Sequence, residues 1–101
     1  MDSSTPKRPK YFFAYTTATA ELHISTRTLR RWIEYLGLEP LELESGDQVR
    51  VFLSLPHMEI LREYSKVLAT HDTNMIADYR QAMYHGNDEM ILRIRKRISR
   101  G

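Results

Sequence analysis

The chain has 101 residues, of which 42% are hydrophobic and 10% aromatic, enough for one modest core and too little for two full domains. It contains no cysteine, so disulfides, thiolate metal sites and thiol nucleophiles are excluded together, and a reducing, cytoplasmic setting is the expectation. The net charge of +2 is small but unevenly placed. Glu39, Glu42, Glu44 and Asp47 sit in a stretch without a base, whereas Arg93, Arg95, Lys96, Arg97 and Arg100 crowd the last residues without an acid.

Residues 1–10, MDSSTPKRPK, lack the apolar segment of a signal peptide and have nothing to bury after Met1. They are expected to form a flexible basic arm, and Lys7, Arg8 and Lys10 could serve as a plain leader or reach into a DNA groove. No apolar run approaches the roughly 18 residues of a membrane span, so no membrane partner is expected. Tyr11, Phe12, Phe13 and Tyr15 suggest a short strand. From Thr16 or Thr17 the sequence suggests a short helix with a threonine cap that ends at His23-Ile24.

Ser25 can then cap a second helix, whose Leu29, Trp32, Ile33 and Leu36 stand at i, i+3, i+4 and i+7 and form one apolar stripe. Gly37 is placed to stop it. At about 100° per residue, Arg27 and Arg31 point away from that stripe, with Thr28 and Arg30 on its flanks. Arginine is planar, permanently charged and forked, suited to phosphate or to the O6 and N7 atoms of guanine.

Two period-two runs follow, Leu41 to Glu44 and Gln48 to Phe52, and the intervening Ser45-Gly46-Asp47 reads as the turn of a β-hairpin. Ser54 opens a third helix with Pro56 in its first turn and a stripe of Ile60, Leu61, Tyr64, Val67 and Leu68. A fourth helix spans about Asp72 to Tyr84 with Ile76, Tyr79 and Met83 on one side. Asp88 to Arg100 forms a last helix with Ile91, Ile94 and Ile98 at helical spacing. That stripe could cover the core, pair with another protomer or lie on an anionic membrane, and packing or dimerisation is favoured.

The ordered series Ala20-Glu21-Leu22-His23-Ile24-Ser25, Thr28-Leu29-Arg30-Arg31-Trp32, Leu36-Gly37-Leu38-Glu39-Pro40 and Val49-Arg50-Val51-Phe52 resembles the MerR-like and excisionase-like winged-helix DNA-binding domains. The resemblance spans residues 16–68. It implies a mainly α fold with a small β-hairpin wing, a winged helix-turn-helix domain at 11–68, and C-terminal helices at 69–101 for packing or dimerisation. It further implies that the Ser25 to Leu36 helix is the recognition helix and that the wing contacts flanking backbone or minor groove.

On that reading Arg27 and Thr28 take base-edge or mixed roles, Arg30 and Arg31 hold phosphates, Thr26 contacts DNA beside them, and Gln48 and Arg50 contact it from the wing. His23 stands where the family usually has glycine in the turn, and the acids of the hairpin are unlike a phosphate-binding wing. The four histidines lack close metal-ligand spacing, so neither metal nor cofactor is expected. No Gly-rich phosphate loop, nucleophile elbow or acid-base carboxylate pair stands out, so the chain is not expected to be an enzyme.

The expectation is therefore a sequence-specific binder of double-stranded DNA, associated with the nucleoid. It would regulate transcription without an effector-sensing domain, as a homodimer or as cooperative side-by-side copies. Two alternatives are an excisionase-like accessory to recombination and a protein-interaction adaptor whose partner binds the acidic hairpin.

Overall fold

In the computed structural model, residues 12–100 are described. The basic arm, with Lys7, Arg8 and Lys10, and Tyr11 of the expected strand lie outside them. Strand β1 (Phe12–Ala14) leads directly into helix α1 (Tyr15–Leu22), which α2 (Thr26–Leu36) follows after a three-residue turn. Strands β2 (Leu41–Ser45) and β3 (Gln48–Ser54) form the hairpin, and α3 (Leu55–Ala69), α4 (Thr73–His85) and α5 (Asp88–Arg100) complete a mainly helical architecture.

The expected threonine cap of α1 is not formed. The N-cap position is Ala14, with no side-chain cap, because β1 pairs with β3 up to Ala14 and the chain passes from extended to helical backbone at once. The Thr19 hydroxyl instead donates to the Thr16 carbonyl at 3.0 Å. His23 ends the helix in the left-handed region (φ 57°, ψ 45°), and the following Ile24 N–H reaches back to the Thr19 carbonyl at 3.2 Å. A β-carbon in this conformation costs roughly 1–2 kcal/mol, and histidine meets that cost at the turn between α1 and α2.

Helix α2 begins as its composition requires. Ser25 is extended and its hydroxyl accepts the Thr28 N–H at 3.1 Å, and Gly37 closes the helix at φ +66°. Glycine is needed at 37 twice over, because a β-carbon there would stand 2.9 Å from Cδ2 of Tyr84 on α4. The end of α2 is thus seated directly on α4.

Three antiparallel strands make one sheet in the order β1-β3-β2, so β1 pairs with the second strand of the hairpin. Gly46, at φ +63°, turns the hairpin in a conformation that glycine adopts without a β-carbon penalty. Leu53 of β3 is fully buried and faces the helices. Helix α3 starts with a reciprocal cap: the Ser54 hydroxyl accepts the His57 N–H at 3.2 Å, and Nδ1 of His57 accepts the Ser54 N–H at 3.3 Å.

One core joins α1, α2, β3 and the last three helices through Ala18, Leu29, Leu36, Leu61, Tyr64, Val67, Tyr79 and Ile94, among others. An aromatic column runs through it. Trp32 meets the ring of Tyr64 edge-on at 5.1 Å, and Tyr64 stacks on Tyr79 at 5.8 Å. The inward face of α4 is Met75, Tyr79 and Ala82, with Ile76 and Met83 half-buried at its margin, a rotation of the expected stripe. On α5, Ile91 and Ile94 are buried and Ile98 is half-buried.

Candidate nucleic-acid interface

Helix α2 lies between two neighbours that leave one arc of it free. On one flank Tyr35 carries the Arg80 guanidinium of α4 over its ring, 4.0 Å from the centroid. On the other flank Arg30 is within electrostatic reach of Tyr15, the first residue of α1, as is Glu42 of β2. Tyr15 is half-buried, and its phenol is held above the usual range by burial first, with Arg30 lowering it and Glu42 raising it.

The arc between those flanks carries Arg27, Arg31 and Glu34, all exposed. The basic residues occupy its N-terminal half and the acid its C-terminal end. Thr26 and Arg30 are also exposed, and Thr28 is half-buried. The Thr28 and Ser25 hydroxyls lie within hydrogen-bond distance of each other, at 3.1 Å.

The arginines divide into two sets. Arg62 pairs with Glu21 at 2.7 Å, Arg95 with Glu63 at 2.7 Å and Arg97 with Asp72 at 3.4 Å. Arg80 adds to its stacking a hydrogen bond from Nε to the Tyr64 hydroxyl. Arg27, Arg30, Arg31 and Arg50 form no ion pair or side-chain hydrogen bond with any other described residue.

The hairpin sorts its side chains by face. Arg50 stands opposite Leu43, on the face that also holds Gln48, Leu41 and Phe52. Glu42 opposes Val51 and Glu44 opposes Val49 on the other face. These two glutamates of the hairpin are therefore on the side away from Arg50. Thr26 to Arg31 are brought together on one turn and a half of α2, and Gln48 and Arg50 on one face of β3.

Tyr15, Glu34 and Arg80 were missed by reading the sequence. The spacing of Glu34 seven residues after Arg27 would have placed it on the same arc, but the other two act across the fold and leave no periodic trace. Among the described residues no group of His, Asp and Glu is placed to hold a metal ion. No described helix is long and apolar enough to cross a membrane. A groove of about 810 Å³ opens between α3 and α5, but Glu63 and Arg95 on its wall are bonded to each other. Compared with known proteins, the chain matches no family model, no curated protein and no solved structure.

Proposed function

We propose that residues 11–68 are a winged helix-turn-helix domain of MerR-like type that binds double-stranded DNA and regulates transcription, with α2 as its recognition helix. The observation that carries this reading is that Arg27, Arg30 and Arg31 on the N-terminal half of α2 are exposed and pair with no other described residue, while Arg62, Arg80, Arg95 and Arg97 are engaged within the fold. Guanidiniums left free at the start of a capped, rigidly seated helix suit phosphate and guanine edges, which the leading residues of such a helix reach.

Arg27 and Thr28 then read base edges with Thr26 beside them, Arg30 and Arg31 hold phosphates, and Gln48 and Arg50, on the hairpin face away from Glu42 and Glu44, contact the flanking backbone. Glu34 repels phosphate at the far end of α2, which tilts the docking toward the N-terminal half. The arm residues Lys7, Arg8 and Lys10 add charge to the same duplex. Few base contacts are available to one such domain, so useful specificity calls for neighbouring copies on adjacent sites. The role is that of a binding protein of the nucleoid, with no reaction of its own.

Fluorescence anisotropy with mixed-sequence duplex DNA across a range of salt tests this reading. Wild-type protein is expected to bind with a steep salt dependence, and Arg30→Ala/Arg31→Ala to flatten the log-log slope by about 0.9 for each phosphate no longer neutralised. Absence of binding at low salt by a folded wild-type protein would rule out the DNA reading and favour a protein partner at the acidic hairpin.

A further inference from the structure

The charges that the fold leaves unsatisfied form two faces of opposite sign on different elements. On α5, Arg93, Lys96 and Arg100 fall with Glu89 on one outward stripe, away from Ile91 and Ile94, and none of the three bases pairs with a described acid. Beside that stripe Leu92 is 55% exposed. On the hairpin, Glu42 and Glu44 share a face with Val49, which is 56% exposed, and neither pairs with a described base. Each face thus combines charge with one uncovered aliphatic side chain, and the signs are complementary.

We propose that the Glu42 and Glu44 face of the hairpin in one copy docks on the Arg93, Lys96 and Arg100 face of α5 in a second copy. Two-fold pairing is the weaker match, since hairpin against hairpin sets acid on acid, and α5 against α5 offers the three bases of each copy only Glu89 of the other, where the hairpin offers Glu42 and Glu44. The charge pattern selects a head-to-tail contact, with Val49 meeting Leu92 inside a ring of ion pairs. A heterologous contact of this kind leaves a free hairpin at one end and a free α5 at the other, so copies add in a row. Gln48 and Arg50, on the opposite face of the hairpin, stay uncovered. The contact involves no nucleic acid and stands apart from the proposed function.

Sedimentation velocity of the full chain over a wide concentration range, without DNA, tests it. Wild-type protein is expected to associate at low salt and to dissociate in about 1 M salt, where screening acts over about 3 Å. Glu42→Lys/Glu44→Lys and Arg93→Glu/Lys96→Glu each place like charges across the contact and are expected to weaken association by roughly a hundredfold. All four side chains are exposed, so both variants are expected to keep the wild-type circular dichroism. An equimolar mixture of the two variants is expected to associate again, because the reversed hairpin of one matches the reversed α5 of the other. A wild-type protein that stays monomeric at low salt, association that survives either reversal, or a mixture that fails to recover would each overturn the proposal. The monomeric outcome would leave the two faces to other proteins.

Discussion

Arg31 and Arg80 are the same residue type on helices that touch, yet the fold treats them in opposite ways. Arg80 is half-buried, stacks on Tyr35 of α2 and donates to the hydroxyl of the fully buried Tyr64. Arg31, one turn before Tyr35 in α2, is exposed and meets no described acid. The first fastens α4 to α2 and α3; the second is available to something outside the chain. The comparison teaches that a count of arginines says little, and that what each guanidinium already holds says whether it can bind a partner.

The strongest way to break the fastener is at its acceptor. Tyr64→Ala removes the ring that Trp32 and Tyr79 both pack against and strands the Arg80 donor. It is expected to cost about 3–5 kcal/mol, read by denaturant unfolding followed by circular dichroism. For a domain whose whole stability is on the order of 5–15 kcal/mol, that is a large share. Arg80→Ala leaves the Tyr64 hydroxyl buried without its donor and uncovers Tyr35. A loss of about 1–3 kcal/mol is expected, and Arg80→Lys should restore little, since a compact ammonium cannot both stack and donate from a fixed fork.

A third test sharpens the comparison through pH. The Tyr79 hydroxyl donates to Glu63 at 2.7 Å, and Glu63 accepts Arg95 through its other oxygen at 2.7 Å, so one carboxylate ties α3 to α4 and α5. Burial, with the adjoining Glu63 carboxylate, pushes the Tyr79 phenol far above its ordinary value. The unfolded chain loses this proton near pH 10 while the folded chain keeps it, so the stability it contributes is full below about pH 10 and is lost progressively above. Thermal unfolding across the alkaline range should show that loss, and Tyr79→Phe should flatten it at a cost of about 1 kcal/mol at neutral pH. An unchanged alkaline slope in Tyr79→Phe would place the titration elsewhere.

The same contrast explains how much of the molecule was legible. Helix α2 could be read outright because its cap, stripe and stop are all local: Ser25, then Leu29, Trp32, Ile33 and Leu36, then Gly37. The arc bearing Arg27 and Arg31 follows from the same 3.6-residue period. The pairing of β1 with β3 could not be read, since it joins residues some forty positions apart through backbone groups that every residue carries. Nor could the stacking of Arg80 on Tyr35. The inward face of α4 was read one step off, because Ala82 is too small to mark a stripe and Met75 lies at the helix start. The face-sorting of the hairpin was implicit in its alternation, but which glutamate opposes which valine required the register.

The smallest expected effect is the one on which the comparison turns. Arg27→Ala/Arg31→Ala removes two side chains with no described ion pair from the middle of an exposed arc, and alanine is at least as good a helix former as arginine. Its unfolding free energy should stay within about 0.5 kcal/mol of wild type in the denaturant titration that reveals the Arg80→Ala loss. If instead the double variant costs as much as Arg80→Ala, these arginines are fasteners too. A fall in DNA affinity on substituting them would then report damage to α2. If stability is unchanged, any weakening of DNA binding belongs to the arginines themselves, because the helix that carries them is held by Leu29, Trp32, Ile33 and Leu36 from the opposite side.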